Sequence, residues 1–144
     1  MMMQILAAVA GTVAFSLLFG VPRRYYPLCG LIGGIGWAVY VLVEASFSPS
    51  VAAWIATMAV IFLSRLGAIG MCCPATIFLI PGIFPLVPEA RVYWMTYYIV
   101  TDELYLAAQT GYSALRIAVA IVLGIVFVFE IPQSVFCFLL RKRK

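Results

Sequence analysis

Between Met71 and Arg91 the chain reads Met71-Cys-Cys-Pro-Ala-Thr-Ile-Phe-Leu-Ile-Pro-Gly-Ile-Phe-Pro-Leu-Val-Pro-Glu-Ala-Arg91, and it continues apolar to Val100. A helix crossing the hydrocarbon core of a bilayer needs roughly 20 residues. About thirty residues at 1.5 Å each overrun a straight crossing by ~15 Å. Pro74, Pro81, Pro85 and Pro88 punctuate the stretch, with Gly82 beside the second of them. Each interior proline removes a backbone donor and clashes with the carbonyl four residues earlier, so the helix must break. In lipid, freed backbone groups are tolerated only where they face protein or a watery cavity. A discontinuous helix of this kind puts half-helix ends and bare carbonyls at a substrate. The plain alternative is a kinked packing helix without a ligand.

The rest of the chain has the same character. Of its 144 residues 66% are hydrophobic and 10% charged, whereas a soluble domain carries about a quarter charged. This composition marks a membrane protein. Nine Lys+Arg against five Asp+Glu give a formal charge of +4, yet four of the nine form the closing Arg141-Lys-Arg-Lys144, so no basic face serves nucleic acid. Histidine is absent, which removes imidazole bases, Ser/His and Cys/His nucleophile pairs and His-ligated metal sites. Cys29, Cys72, Cys73 and Cys137 lie in or beside apolar runs, and the adjacent Cys72-Cys73 pair has poor geometry for one tetrahedral metal, so the cysteines read as small packing residues. Neither an enzyme, a cofactor nor a metal centre is expected.

Spans follow at about residues 2–19, 28–43, 51–66, 71–100 (broken) and 113–138, in one transmembrane domain covering 1–144. The first is not a cleavable signal in this reading, because no basic residue precedes it and Val21-Pro22-Arg23-Arg24 follows as a stop-transfer flank. Ser48 is the expected N-cap of the third span, with Pro49 at its first helical position, and Thr101 to Ser113 reads as a polar linker. Basic residues mark the cytoplasmic ends of spans. Arg23, Arg24, Arg65 and the terminal cluster share one side, and Glu44, Asp102 and Glu103 take the other. The expected fold class is therefore an all-α polytopic helical bundle of five spans, amino terminus outside and carboxyl terminus cytoplasmic. An odd set without internal repeat is what half of an inverted-repeat transporter looks like.

Few residues in such a bundle can carry chemistry. Glu89 and Arg91 follow the last proline of the break, and ionisable groups at depth point by default to a substrate or ion path. Arg91 can pair a carboxylate through two contacts, and Glu89 can pair an amine or carry a proton. In an interfacial loop both would simply be wet. Glu130 precedes Pro132, which frees the carbonyl of Val128, and it reads either as a proton relay or as a residue snorkelling to the surface. Gly30, Gly33, Gly34 and Gly36 do not make a nucleotide fingerprint, since no strand precedes them. Gly30 with Gly34, Ala7 with Gly11 and Ser16 with Gly20 read as small faces for close helix packing. Trp37, Tyr40, Tyr93, Trp94, Tyr97 and Tyr98 read as interfacial anchors or packing residues.

At Phe19-Gly-Val-Pro-Arg-Arg-Tyr-Tyr-Pro-Leu-Cys-Gly-Leu-Ile-Gly-Gly-Ile-Gly-Trp37 and at Pro74-Ala-Thr-Ile-Phe-Leu-Ile-Pro-Gly-Ile-Phe-Pro-Leu-Val-Pro88 the chain resembles the threonine/serine exporter family, in particular the small membrane subunit of its split, two-protein form. The resemblance implies a multi-pass protein of the bacterial inner membrane that exports small amino acids by exchange with protons, or small dicarboxylates such as succinate. It also implies a larger membrane subunit bearing a soluble cytoplasmic domain as partner, besides the lipid bilayer and a small carboxylate-bearing substrate; a homo-oligomer is a further arrangement. Carried onto this chain, the motif places Pro81, Gly82, Pro85 and Pro88 in the functional break, with Thr76 in its approach. Arg91 is then the expected carboxylate receptor, and Glu89 and Glu130 are the proton-coupling candidates. Where Glu89 stands, the family pattern more usually has glycine. A competing reading is a membrane module that transports nothing and stabilises or anchors a partner complex.

Overall fold

The computed structural model describes residues 2–131, and among them there is no strand. Six α-helices follow in order: α1 (Met2–Leu18), α2 (Tyr26–Glu44), α3 (Pro49–Met71), α4 (Thr76–Ile83), α5 (Glu89–Val100) and α6 (Leu104–Phe129). Single 3-10 turns at Arg23–Tyr25 and Phe84–Leu86 lead into α2 and out of α4. α2 with its leading turn, α3 and α6 are long and apolar enough to cross a membrane. The segments Thr76–Leu86 and Glu89–Val100 meet at a bend of 48° and make a fourth, broken candidate, while α1 is a shorter apolar helix of 17 residues.

Local chemistry explains where the helices stop. Gly20 takes φ +68° after α1, and the amide of Val21 returns to the carbonyl of Ser16 (2.9 Å), closing the helix in the left-handed turn that glycine favours. Cys72 and Asp102 do the same for α3 and α5, with φ of 52° and 62°. The amide of Cys73 bonds Ala68 (3.0 Å) and that of Glu103 bonds Tyr98 (2.9 Å). Pro27 and Pro49 occupy the first turns of α2 and α3, where a missing N–H costs nothing. Ser48 does stand at the N-cap of α3 with extended backbone, but its hydroxyl makes no capping bond.

Two expectations about boundaries need correction. The polar stretch 101–113 is not a linker: only Thr101–Glu103 turn, and α6 begins at Leu104, nine residues before the expected start. Its partner α5 explains the difference, since Gly111 lies against Met95 and Arg91 reaches Ser113. The expected end of that span at 138 lies outside the described residues. Secondly, the close-packed face of α1 is Ala8, Thr12 and Ser16, all buried, rather than Ala7 with Gly11 or Ser16 with Gly20; side chains at Gly11 and Gly20 would meet nothing within 4 Å.

In lipid the association of helices rests on close packing rather than on expulsion of water, so small residues gather where backbones approach. Gly30 and Gly34 seat Val9 and Val13 of α1, Gly33 seats Thr12, Gly36 seats Val60 of α3, and Gly124 of α6 seats Thr57. α3 runs through the centre, burying Ala53, Ala56, Thr57, Val60, Ser64 and Ala68 along one helical face. The half-helix α4 is wedged among α1, α2 and α3, with Phe78 fully buried and edge-on to Tyr25 (ring centroids 5.5 Å apart, planes at 87°). α5 buries none of its residues and packs chiefly on α6.

α3 and α6 run parallel, because Gly124 meets Thr57 and, further along both helices, Arg65 meets Val128. The same end of the bundle therefore holds Arg65, the Arg23–Tyr25 turn and the start of α4. Glu44 and the α2–α3 turn sit at the opposite end, as does the α5–α6 turn with Asp102 and Glu103.

Candidate functional site

The proline break begins near the bundle centre. Gly82 faces Val60, the middle residue of α3, and Ile32 of α2; a Cβ there would lie 3.0 and 3.2 Å from their methyl groups. Pro81 sits inside α4 and cannot bond the carbonyl of Ile77. The thiol of Cys29, fully buried in α2, points at that carbonyl at 3.8 Å, so a protein group takes up what the proline frees. Cys29 is thus more than a small packing residue.

Beyond the break, residues Pro85 to Arg91 form one wall of a cavity of about 150 Å³ completed by Trp37, Tyr40 and Ile117. Pro85, Pro88, Glu89 and Arg91 of the expected site residues meet here. The guanidinium of Arg91, half-buried, donates from Nη1 to the hydroxyl of Ser113 on α6 (2.7 Å). The Tyr40 hydroxyl donates to the Glu44 carboxylate (3.1 Å), and its ring lines the same cavity as Arg91. Trp37 stacks on Tyr40 (centroids 5.3 Å, planes at 22°), and its indole Nε1–H, shielded from solvent, has no hydrogen-bond acceptor among the described residues. Tyr40 lies five residues past the middle of α2, which puts this polar cluster ~7.5 Å off the centre, towards the end holding Glu44.

Glu89 is two residues from Arg91 in the first turn of α5, and residues so spaced do not share a helix face. It also borders a second cavity of about 310 Å³ against Ala7, Ala8, Gly11 and Phe15 of α1. Its charge there is favoured by the positive end of the helix dipole. Thr76 is exposed at the start of α4 and lines a separate cavity with Phe19, Gly20, Val21 and Pro22, away from Arg91. Glu130 is exposed at the far end of α6, the end where Arg65 binds. A cavity of about 440 Å³ is also at that far end, between Arg65 and the Cys72–Ala75 turn.

Trp37, Tyr40, Glu44 and Ser113 are the members of this cluster that sequence reasoning did not assign to it. The aromatic pair read as anchoring, Glu44 as the end of a span and Ser113 as the end of a linker. The one signal available was Glu44 itself, an acid at a helix C-terminus, where the dipole disfavours it.

Three helices long and apolar enough to cross a membrane, with a broken helix beside a small cavity that holds a guanidinium, make the layout of a multi-pass membrane transporter. Among the described residues no group of acidic or cysteine side chains can hold a metal ion. The sequence profile described as "Threonine/Serine exporter, ThrE" matches residues 4–131, and the chain belongs to that family of transporters. No curated protein and no solved structure matches it significantly.

Proposed function

We propose that the chain is the small membrane subunit of a two-protein exporter in the bacterial inner membrane. It carries serine and threonine, or small dicarboxylates such as succinate, outward in exchange for protons. A larger membrane subunit with a soluble cytoplasmic domain supplies the other half, and rocking of the halves alternates access. In this reading the chain crosses the membrane five times with its amino terminus outside; α1 and the broken α4–α5 pair are the first and fourth crossings. The gathering of Arg23, Arg24 and Arg65 at the end opposite Glu44, Asp102 and Glu103 supports that orientation.

The observation that carries the proposal is the Arg91 guanidinium on the wall of the cavity bounded by Pro85–Pro88. A carboxylate entering there meets a planar, permanently charged donor set already oriented by Ser113. Glu89 borders the same cavity and is the coupling carboxylate we assign; Glu130, at the opposite end of the bundle, is not.

The test is efflux of labelled serine, threonine and succinate from vesicles holding this chain, the larger subunit, or both, with and without a proton gradient. Gradient-dependent flux with both chains, lost in Arg91→Ala although the complex stays intact, is the expected result. Intact complex without flux of any of the three would overturn the reading.

A further inference from the structure

The Arg91 cavity carries both signs of charge within a single helical turn. It lies over the start of α5, where Pro88, Glu89, Ala90 and Arg91 all border it, so the two charged residues share it although they diverge around the helix. The guanidinium is held by Ser113 on another helix, and the Glu89 carboxylate has no hydrogen bond or ion pair among the described residues. Cation and anion thus stand beside one cavity without closing on each other. At about 150 Å³ the space is smaller than the roughly 300–1,000 Å³ of pockets for drug-sized ligands, so an occupant small enough to enter borders both charges. In a membrane-spanning bundle ionised groups call for partners. Here one is unpaired and the other is engaged by a neutral hydroxyl, which leaves both demands to the ligand.

Resting on the exporter reading above, we propose that Glu89 receives the ammonium group of an α-amino acid whose carboxylate is held by Arg91, and that the incoming proton and the outgoing amino acid compete for this one carboxylate. The two charged groups of such a zwitterion branch from a single carbon, which suits receptors two residues apart. A dicarboxylate puts its second anion beside ionised Glu89, and like-charge contact in a poorly screened site disfavours it. Protonation of Glu89 removes the charge that holds the ammonium, so the loaded and the protonated forms exclude each other. When the amino acid leaves on the outer side, a proton takes its place on Glu89; when the next amino acid binds on the inner side, that proton is released to the cytoplasm. Coupling then needs no second acid. Of the other groups around Glu89, Arg91 stays charged throughout and the Tyr40 hydroxyl of α2 is committed to Glu44. α1, the Phe84–Leu86 turn and α6 border its two cavities with apolar residues only, so Glu89 is the group that titrates at the site.

The experiment is serine-for-serine exchange by vesicles containing the complete two-chain transporter, followed with labelled serine across a range of pH and in competition with 3-hydroxypropionate, which lacks the amine. In wild type, protons should raise the KM for serine competitively, with kcat unchanged at saturating serine. Glu89→Gln should raise that KM about tenfold, as expected for one lost hydrogen bond to a charged group, and make it independent of pH. The same variant should stop a proton gradient from driving serine flux, while 3-hydroxypropionate inhibits as well as before or better. Glu89→Asp should recover part of the affinity and of the pH dependence. Glu89→Gln retaining the wild-type ratio of serine to 3-hydroxypropionate affinity, or a wild-type KM that ignores pH, overturns the proposal while leaving the exporter reading in place. Flux of succinate but not of serine in wild type does the same. Absence of flux of serine, threonine and succinate, with the complex shown intact, overturns both. Recovery of monodisperse complex for each variant separates these outcomes from a loss of folding.

Discussion

Arg91 of α5 donates to Ser113 of α6 at 2.7 Å, and this bond ties the segment leaving the proline break to the long helix that follows. A guanidinium held by a hydroxyl on a separate helix keeps its direction when the cavity is empty, which lowers the ordering cost of binding a carboxylate. Ser113→Ala should therefore raise the KM for the carried substrate several-fold without changing kcat. It should lower stability by about 1.5 kcal/mol, the low end for a hydrogen bond to a charged group. Ser113→Thr keeps the hydroxyl and should behave as wild type. Efflux kinetics and denaturant titration of the three proteins check both halves of the expectation.

The contact between α1 and α2 is sensitive in a different way. A methyl group at Gly33 would collide with the side chain of Thr12, which is fully buried and already bonded through its hydroxyl to the carbonyl of Ala8 (2.7 Å). Thr12 has few rotamers in a helix and cannot swing away without losing that bond. Gly33→Ala should destabilise the protein by about 1–3 kcal/mol, as overpacking does. Gly70→Ala, where the added Cβ meets nothing within 4 Å, is the matched control and should be neutral. Thermal unfolding in detergent measures the pair.

Arg65 has a structural duty at the other end of the bundle. Its Nη1 donates to the carbonyls of Val128 (2.7 Å) and Ile131 (2.8 Å). Proline at position 132 has no N–H to offer Val128, whose carbonyl accepts a long bond from the Ile131 amide (3.3 Å), and the guanidinium adds a shorter, charged donor to it. Arg65→Met should cost about 2–3 kcal/mol, in the range of a charged hydrogen bond lost from a partly buried acceptor. Arg65→Lys should recover only part, because a single ammonium lacks the planar fork. Protease protection of the α6 end, followed in both variants, reads the effect directly.

These contacts show what was legible beforehand. The break at Pro81 to Pro88 could be read because proline acts on its own carbonyl neighbours, and the freed carbonyl of Val128 could be read for the same reason. The groups that satisfy those carbonyls, Cys29 for Ile77 and Arg65 for Val128, come from other helices, 48 and 63 residues away. Nothing in periodicity ties them together. The same holds for the site: Arg91 is visible as a charge next to a break, while Ser113 and Tyr40 become its neighbours only through the docking of α5 on α6 and of the Phe84–Leu86 turn on α2. The first half of α6 reads as a linker because Gln109, Thr110, Gly111 and Ser113 are polar or small, and their helix is held by α5 rather than by its own apolar period.

Thr57 leads to the last expectation. It is fully buried in α3 against Gly124 of α6, and its hydroxyl has no hydrogen-bond partner among the described residues. Ser64, two turns further along the same face, does bond back to the carbonyl of Val60 (2.8 Å), and Thr12 and Ser16 of α1 do likewise. A buried hydroxyl left unpaired is destabilising by about 1–3 kcal/mol relative to an apolar group of the same shape. Valine has that shape and keeps the contact with Gly124. Thr57→Val should therefore stabilise the protein by ~1 kcal/mol, seen as a higher unfolding midpoint, if the hydroxyl only packs. Serine efflux measured on the same variant separates packing from passage: unchanged kcat leaves Thr57 as an interface residue, and a stabilised protein with reduced flux makes its hydroxyl part of the path between the helices.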